Sequence, residues 1–299
     1  MHLLDLNIYK RSNKKEDIAI IHSLSELILI TFNQRIPPLF YCFYIGIACY
    51  ETKHSDILFI FAGNTRNMQP QVILITGASS GFGKITAQML SEQGHIVYGT
   101  SRKPSEDMNQ VKMLVVDVTN SFSVCQAVER ILSEQGRIDV LINNAGIASM
   151  NHILLTPKTT AERVFNTNFM GTFLMSRECA KFMIRQKNGR IVNYSTVAVA
   201  LNLQGELVYS SSKAAIEQLT RVLATEIGES GVTVNAVGPT PIDTDLIKNV
   251  PGNKIEELKN RQCIKRLGNF EDVKNVIDFF IRPESEFITG QIIYLGGVF

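Results

Sequence analysis

Short, nearly continuous apolar runs alternate with longer segments of helical periodicity from Val72 to the end of the chain. Apolar residues recurring every three or four positions give a helix one dry face, whereas an unbroken apolar run suits a strand covered on both sides. The pattern predicts strands over Val72 to Thr76, Ile96 to Thr100, Met113 to Val116, Val140 to Asn143, Arg190 to Tyr194, Thr233 to Val237 and Ile292 to Leu295. It predicts helices over Lys84 to Gln93, Ser121 to Gln135, Thr160 to Gln186, Tyr209 to Gly228 and Phe270 to Ile281. Regular alternation of strand and helix implies βαβ units. The expected fold is therefore α/β, a doubly wound parallel sheet with helices on both faces that binds ligands at the carboxyl ends of its strands.

Residues 1–67 break this rhythm. They carry two apolar runs, Ile18 to Phe32 and Ile36 to Tyr50, around Arg35 and the Pro37-Pro38 pair. Each is shorter than the roughly 18 apolar residues of a spanning helix, and Glu26 interrupts the first. Lys10, Arg11, Lys14 and Lys15 precede them, which leaves membrane contact or an unusual targeting segment open. The readings, in order, are an extension of unknown role, a start codon assigned too early with Met68 as the alternative, and a membrane anchor. The expected division is an extension over 1–67 and a chemical domain over 68–299.

Composition narrows the class. A content of 45% hydrophobic and 19% charged residues describes a globular chain with a sizeable core. The formal net charge is +2 and the basic residues are dispersed, which argues against a nucleic-acid partner. Cys42, Cys49, Cys125, Cys179 and Cys263 have neither C-x-x-C nor metal-ligand spacing, so reduced thiols, no metal and a cytoplasmic location are expected.

The first strand runs into Thr76-Gly77-Ala78-Ser79-Ser80-Gly81-Phe82-Gly83 and then a helical segment. Glycines let the backbone turn sharply and approach a diphosphate, whose charge the helix N-terminus attracts. The spacing G-x-x-x-G-x-G differs from the G-x-G-x-x-G fingerprint. With Asn143-Asn144-Ala145-Gly146 and Tyr209-x-x-x-Lys213, in this order, the chain resembles the single-domain short-chain dehydrogenase/reductases from about Gln71 onward. The resemblance implies a Rossmann-like domain with a nicotinamide cofactor. Gly77, Ser79, Ser80, Gly81, Phe82 and Gly83 would surround the diphosphate, Asp117 and Val118 the adenine, and Asn144, Ala145 and Gly146 would pass beside the cofactor. Pro239, Ile242 and Thr244 match a segment next to the nicotinamide, with Thr240 where the family has glycine.

An acidic residue closing the second strand would bind the ribose hydroxyls of NAD. The sequence reads Ser101-Arg102-Lys103 there. Arg102, with Ser101 and Lys103 beside it, suits a 2′-phosphate, so NADP(H) is the expected cofactor.

Tyr209 and Lys213 stand four residues apart, on one helix face, where an ammonium can favour the phenolate. Family spacing implies that Thr196 takes the place of the usual serine holding the substrate oxygen; Ser195, one residue earlier, stays open as the alternative. Asn168 matches an asparagine that holds a water leading from the lysine to solvent. The resemblance thus implies an NADP(H)-dependent oxidoreductase, with Asn168, Thr196, Tyr209 and Lys213 as catalytic residues and Tyr209 and Lys213 also contacting the cofactor. The expected substrate is a small carbonyl or alcohol, acyl thioesters included, since the C-terminal half is most similar to the 3-oxoacyl-carrier-protein reductase type. A homodimer or homotetramer is expected, paired through the helices of Asn168 and Tyr209 and the apolar Ile292 to Leu295 run. The competing reading is a membrane-associated or regulatory cofactor-binding protein with little turnover.

Overall fold

The computed structural model describes residues 47–51, 57–61, 69–108, 110–242 and 252–298. The chain forms two units, Met1–Gln69 and Pro70–Phe299. In the first, strands Ile47–Glu51 and Ile57–Phe61 pair antiparallel with Ile47 opposite Phe61, a pairing that the apolar runs alone did not predict. The run Ile18 to Phe32, most of Ile36 to Tyr50, and Met68 lie outside the described residues. No helix among the described residues is long and apolar enough to cross a membrane.

The second unit carries seven strands: β1 Val72–Ile75, β2 Ile96–Ser101, β3 Lys112–Val115, β4 Val140–Asn143, β5 Gly189–Tyr194, β6 Val232–Gly238 and β7 Ile292–Tyr294. All neighbours run parallel in the order β3-β2-β1-β4-β5-β6-β7. The chain builds outward from β1 to β3, then crosses back to β4 on the other side of β1. That reversal opens a crevice at the carboxyl ends of β1 and β4.

Each central strand hides a two-residue alternation inside its apolar run. Leu74, Leu141, Ile191 and Val234 face one layer, with α2 (Ser121–Gln135) and α4 (Gly171–Gln186). Ile73, Ile75, Ile142 and Val192 face the other, with α1 (Gly81–Glu92) and α8 (Phe270–Ile281). Burial on both faces removes the polar residues that would otherwise mark alternate positions.

The segment Thr160 to Gln186, expected as one helix, is interrupted. Helix α3 (Lys158–Phe165) passes through a π turn at Asn166–Met170 into α4. Gly171 closes the turn against Val118, where a Cβ would lie 2.7 Å from Cγ2. Two further helices lack a clear apolar stripe and were not predicted: the short α5 (Val197–Leu201) and the charge-rich α7 (Gly252–Arg261). Helix α6, Leu207–Ile227, completes the set.

Candidate active site

The turn from β1 into α1 is fixed by backbone. Gly77 has φ +67°, and a Cβ there would lie 2.9 Å from the Ala145 Cα. A Cβ on Gly83 would lie 2.3 Å from both the Gly77 carbonyl oxygen and Asn144 Nδ2. Neighbouring strands tie the loop down: Ala78 N donates to the Thr100 carbonyl (2.8 Å), and Asn144 Nδ2 donates to the carbonyls of Thr76 (2.9 Å) and Gly77 (3.0 Å). Thr76 Oγ1 accepts from the backbone N–H groups of Asn144 and Ala145. Ser79, Ser80 and Gly81 are exposed in front of the turn, a Cβ on Gly81 would meet open space, and the first turn of α1 holds no acidic residue. These residues fit a diphosphate group.

At the end of β2, Ser101 is half-buried and Arg102 exposed; Lys103 N donates to Ser101 Oγ at 3.3 Å. Asp117 turns one carboxylate oxygen back on Thr119, accepting from its N–H (2.9 Å) and hydroxyl (2.7 Å). Phe82 packs against Tyr194 and Phe270, with ring centroids 5.8 and 5.4 Å away.

Across the crevice, Thr196 caps α5 by accepting from Ala198 N at 3.2 Å, and its side chain stands close enough to the Tyr209 phenol to act on it. Ser195 also lines the cavity, but its hydroxyl donates to buried Glu217. Lys213 Nζ donates to the Tyr194 carbonyl at 2.7 Å. Burial, reinforced by the negative charge of Glu206 and opposed by the Thr196 side chain, pushes the Tyr209 phenol up to about 12. Burial also brings the Lys213 ammonium down to about 8.

The π turn presents Asn168 to this group, in line with the frequent use of such turns at functional sites. Its Oδ1 accepts from Ile147 N (2.8 Å), and its Nδ2 donates to the Ile147 carbonyl (3.0 Å) and Ser212 Oγ (2.9 Å). Ser212 Oγ donates in turn to the Tyr209 carbonyl at 2.7 Å. A Cβ on Gly146 would stand 3.2 Å from Asn168 Oδ1 and 3.6 Å from Lys213 Nζ, so the bare glycine leaves the space between them open.

One cavity of about 950 Å³ runs along both regions. Gly77, Ser79, Ser80, Phe82, Ser101, Arg102, Val118, Asn144, Ala145, Gly146, Thr196, Tyr209, Lys213 and Pro239 line it. Of the remaining predicted positions, Gly81, Gly83, Asp117, Asn168 and Ile242 are not among its lining residues, and Thr244 lies outside the described residues. Thr240 is accommodated where the family has glycine: its methyl group occupies the space over Gly268, where a Cβ would lie 2.8 Å from Cγ2. The motifs missed the other wall, which Met150, Leu203, Glu206, Lys254, Ile255 and Leu258 help to form. Only Glu206 carried a signal, one helical turn before Tyr209.

Residues 77–297 match the family model described as Enoyl-(Acyl carrier protein) reductase. The 3-ketodihydrosphingosine reductase of Bacteroides thetaiotaomicron is 52% identical over 182 residues, 61% of this chain and 68% of that protein. The 3-oxoacyl-[acyl-carrier-protein] reductase FabG of Thermotoga maritima is 33% identical over 240 residues, 77% of this chain and 98% of its own. Among solved structures, the ligand-free aldohexose dehydrogenase of Thermoplasma acidophilum superposes with a TM-score of 0.70 at 30% identity, covering 76% of this chain and 93% of that one. ElxO with NADP bound gives 0.70 at 29%, covering 76% and 97%. With the glycine-rich turn, the parallel sheet and the tyrosine–lysine pair in one crevice, the chain belongs to the short-chain dehydrogenase/reductase family, as an oxidoreductase similar to the 3-oxoacyl-carrier-protein reductases.

Proposed function

We propose that this domain reduces a long-chain 3-ketone with NADPH, Tyr209 supplying the proton. The observation that carries the reading is the meeting of the Thr196 and Tyr209 hydroxyls, with Lys213 beside them, in the cavity that Arg102 enters from its other end. The exposed face of the β1–α1 turn suits the diphosphate, while Arg102 and Ser101 suit the 2′-phosphate in place of the carboxylate that NAD would require. Asp117 and Val118 flank the adenine end, and Pro239 and Ile242 shape the nicotinamide end. Bound there, the nicotinamide supplies the hydride.

Thr196 donates to the carbonyl oxygen and Tyr209 protonates it. A buried phenol near 12 gives up its proton reluctantly, so the positive charge of Lys213 is needed to favour the phenolate left behind. Asn168 holds the Ile147 backbone beside Lys213 and leads the replacement proton in from solvent.

For the substrate, the support is the relative named 3-ketodihydrosphingosine reductase and the apolar surface of Met150, Leu203, Ile255 and Leu258. A 3-oxoacyl thioester is the second reading, favoured by FabG relatives aligned over nearly their whole length. Phe165, Met170 and Phe173 are exposed along α3, the π turn and α4, which suits pairing of subunits into a homodimer or homotetramer in the cytoplasm. The test follows NADPH oxidation with long-chain 3-ketones and 3-oxoacyl thioesters. Oxidation with a 3-ketone is expected; cofactor binding without oxidation of either kind would make the protein a cofactor-binding regulator instead.

A further inference from the structure

The cavity contains a carboxylate for which ketone reduction has no use. Glu206 stands at the entry of α6, three residues before Tyr209, and lines the same cavity as Tyr209 and Thr196. It is half-buried, whereas Glu257, the acid that α7 contributes to the lining, is exposed. The surrounding cations are committed elsewhere: Lys213 donates to the Tyr194 carbonyl and Arg261 to the Leu201 carbonyl. Among the described residues, exposed Lys254 is the cation that acts on Glu206, and it does so through space. A carboxylate drawn from water beside the reacting group is unfavourable unless a cation meets it.

We propose that Glu206 is the counter-ion for an ammonium group on the carbon next to the reacting carbonyl, making the substrate class a 2-ammonio ketone with an apolar chain. The inference rests on the assignment of Tyr209 and Thr196 to the carbonyl oxygen. In O=C–C–N only three bonds separate the oxygen from the nitrogen, so the side chains that hold them must be near neighbours. Glu206, the N-cap of α6, and Tyr209, in its first turn, both line the cavity and are such neighbours.

Pairing would also serve the reaction. The Glu206 charge raises the Tyr209 phenol, and an ammonium neutralises that charge only while substrate is bound. A 3-oxoacyl thioester carries no cation there and would leave Glu206 desolvated without a partner, so the same residue selects against it.

The test compares a long-chain 2-amino-3-ketone with the desamino ketone of equal length, using the ratio of their kcat/KM values. This ratio cancels any effect on Tyr209 that both substrates share. The parent should favour the amino ketone at least tenfold, and Glu206→Gln should erase roughly 10- to 100-fold of that preference, mainly through KM, with Glu206→Asp keeping part. NADPH titration confirms that each variant is folded. Independently of any variant, a long-chain 2-amino alcohol should inhibit the parent at least tenfold better than its desamino counterpart. An unchanged ratio in Glu206→Gln, or equal inhibition by the two alcohols, overturns the counter-ion role while leaving ketone reduction in place. A parent that reduces neither ketone overturns the functional reading, and this inference with it.

Discussion

The two ends of the cavity are built from different materials. The β1–α1 end is backbone: glycines at 77 and 83 exist because neighbouring main chain leaves no room, and Asn144 and Thr76 bind carbonyls and N–H groups. The opposite wall is side chain, with Met150, Leu203, Glu206 and the residues of α7 reaching in from separate segments. A backbone cradle suits a ligand whose diphosphate is always the same, because main-chain geometry changes little when side chains are substituted. A wall of side chains can be re-lettered without disturbing the sheet.

If that division is right, substitutions at the two ends should fail in different ways. The largest effect is expected at Tyr209→Phe, which removes the proposed proton donor and keeps the ring: turnover should fall roughly 10²- to 10⁴-fold with NADPH affinity nearly intact. Thr196→Val should lower turnover roughly 100-fold, and Thr196→Ser should keep it. Ser195→Ala should cost much less, because that hydroxyl's proton is already donated to Glu217. Steady-state kinetics with fluorescence titration of NADPH separates these outcomes. A Ser195→Ala variant as damaged as Tyr209→Phe, with Thr196→Val active, would move the oxygen-binding role to Ser195.

Gly83→Ala should do the reverse and damage the cradle before the chemistry. Its methyl would meet the Gly77 carbonyl and Asn144 Nδ2, both already hydrogen-bonded to one another. Overpacking of this kind destabilises by about 1–3 kcal/mol, and the distorted turn should weaken NADPH at least tenfold. A variant with parental melting temperature and NADPH affinity would show that the turn yields easily.

The same division governs what was legible in the sequence. The strands of the sheet were legible as apolar runs, while Ser79 and Ser80 in the glycine-rich turn, the Tyr209/Lys213 pair and, by family spacing from that tyrosine, Thr196 were marked by the resemblance; all five line the cavity. Asn168 was singled out by its motif, but the π turn that carries it was not expected, since one widened turn hardly alters an apolar period. Asp117, marked by the resemblance, turns one carboxylate oxygen to Thr119 in the turn after β3, a local contact that the motif does not reveal. Helix α7 escaped because its charged residues outnumber its apolar ones, and its contribution to the cavity depends on tertiary placement.

Cofactor choice sharpens the comparison at one point, because there a side chain and not backbone decides within the cradle half. Arg102→Ala combined with Ser101→Asp should shift the NADPH/NADH ratio of kcat/KM at least tenfold towards NADH, as a charge-assisted pair is lost and a carboxylate repels the 2′-phosphate. Equal use of both cofactors by the parent would remove the basis for NADP(H).

The smallest effect should appear in stability, at Lys213, where the two halves meet. Burial lowers its ammonium from 10.5 to about 8, so between those values the unfolded chain binds more protons than the folded one. Stability of the ligand-free protein should therefore rise with pH across that window; at pH 7, with both states protonated, the penalty stands at about 3 kcal/mol. Lys213→Met removes the buried charge but also the 2.7 Å bond to the Tyr194 carbonyl, which offsets about 1–2 kcal/mol. A net gain of about 1–2 kcal/mol at pH 7 is expected, alongside loss of turnover. The parent-minus-variant difference in urea unfolding isolates this residue from other groups that titrate at high pH. It should shrink as pH rises above 8 and change sign at about pH 9 to 10, where the remaining penalty equals the bond to Tyr194, so that by pH 10.5 the parent is the more stable. A variant less stable than the parent at pH 7 would mean that Lys213 is held by favourable contacts and that its charge carries no strain for the cofactor to relieve.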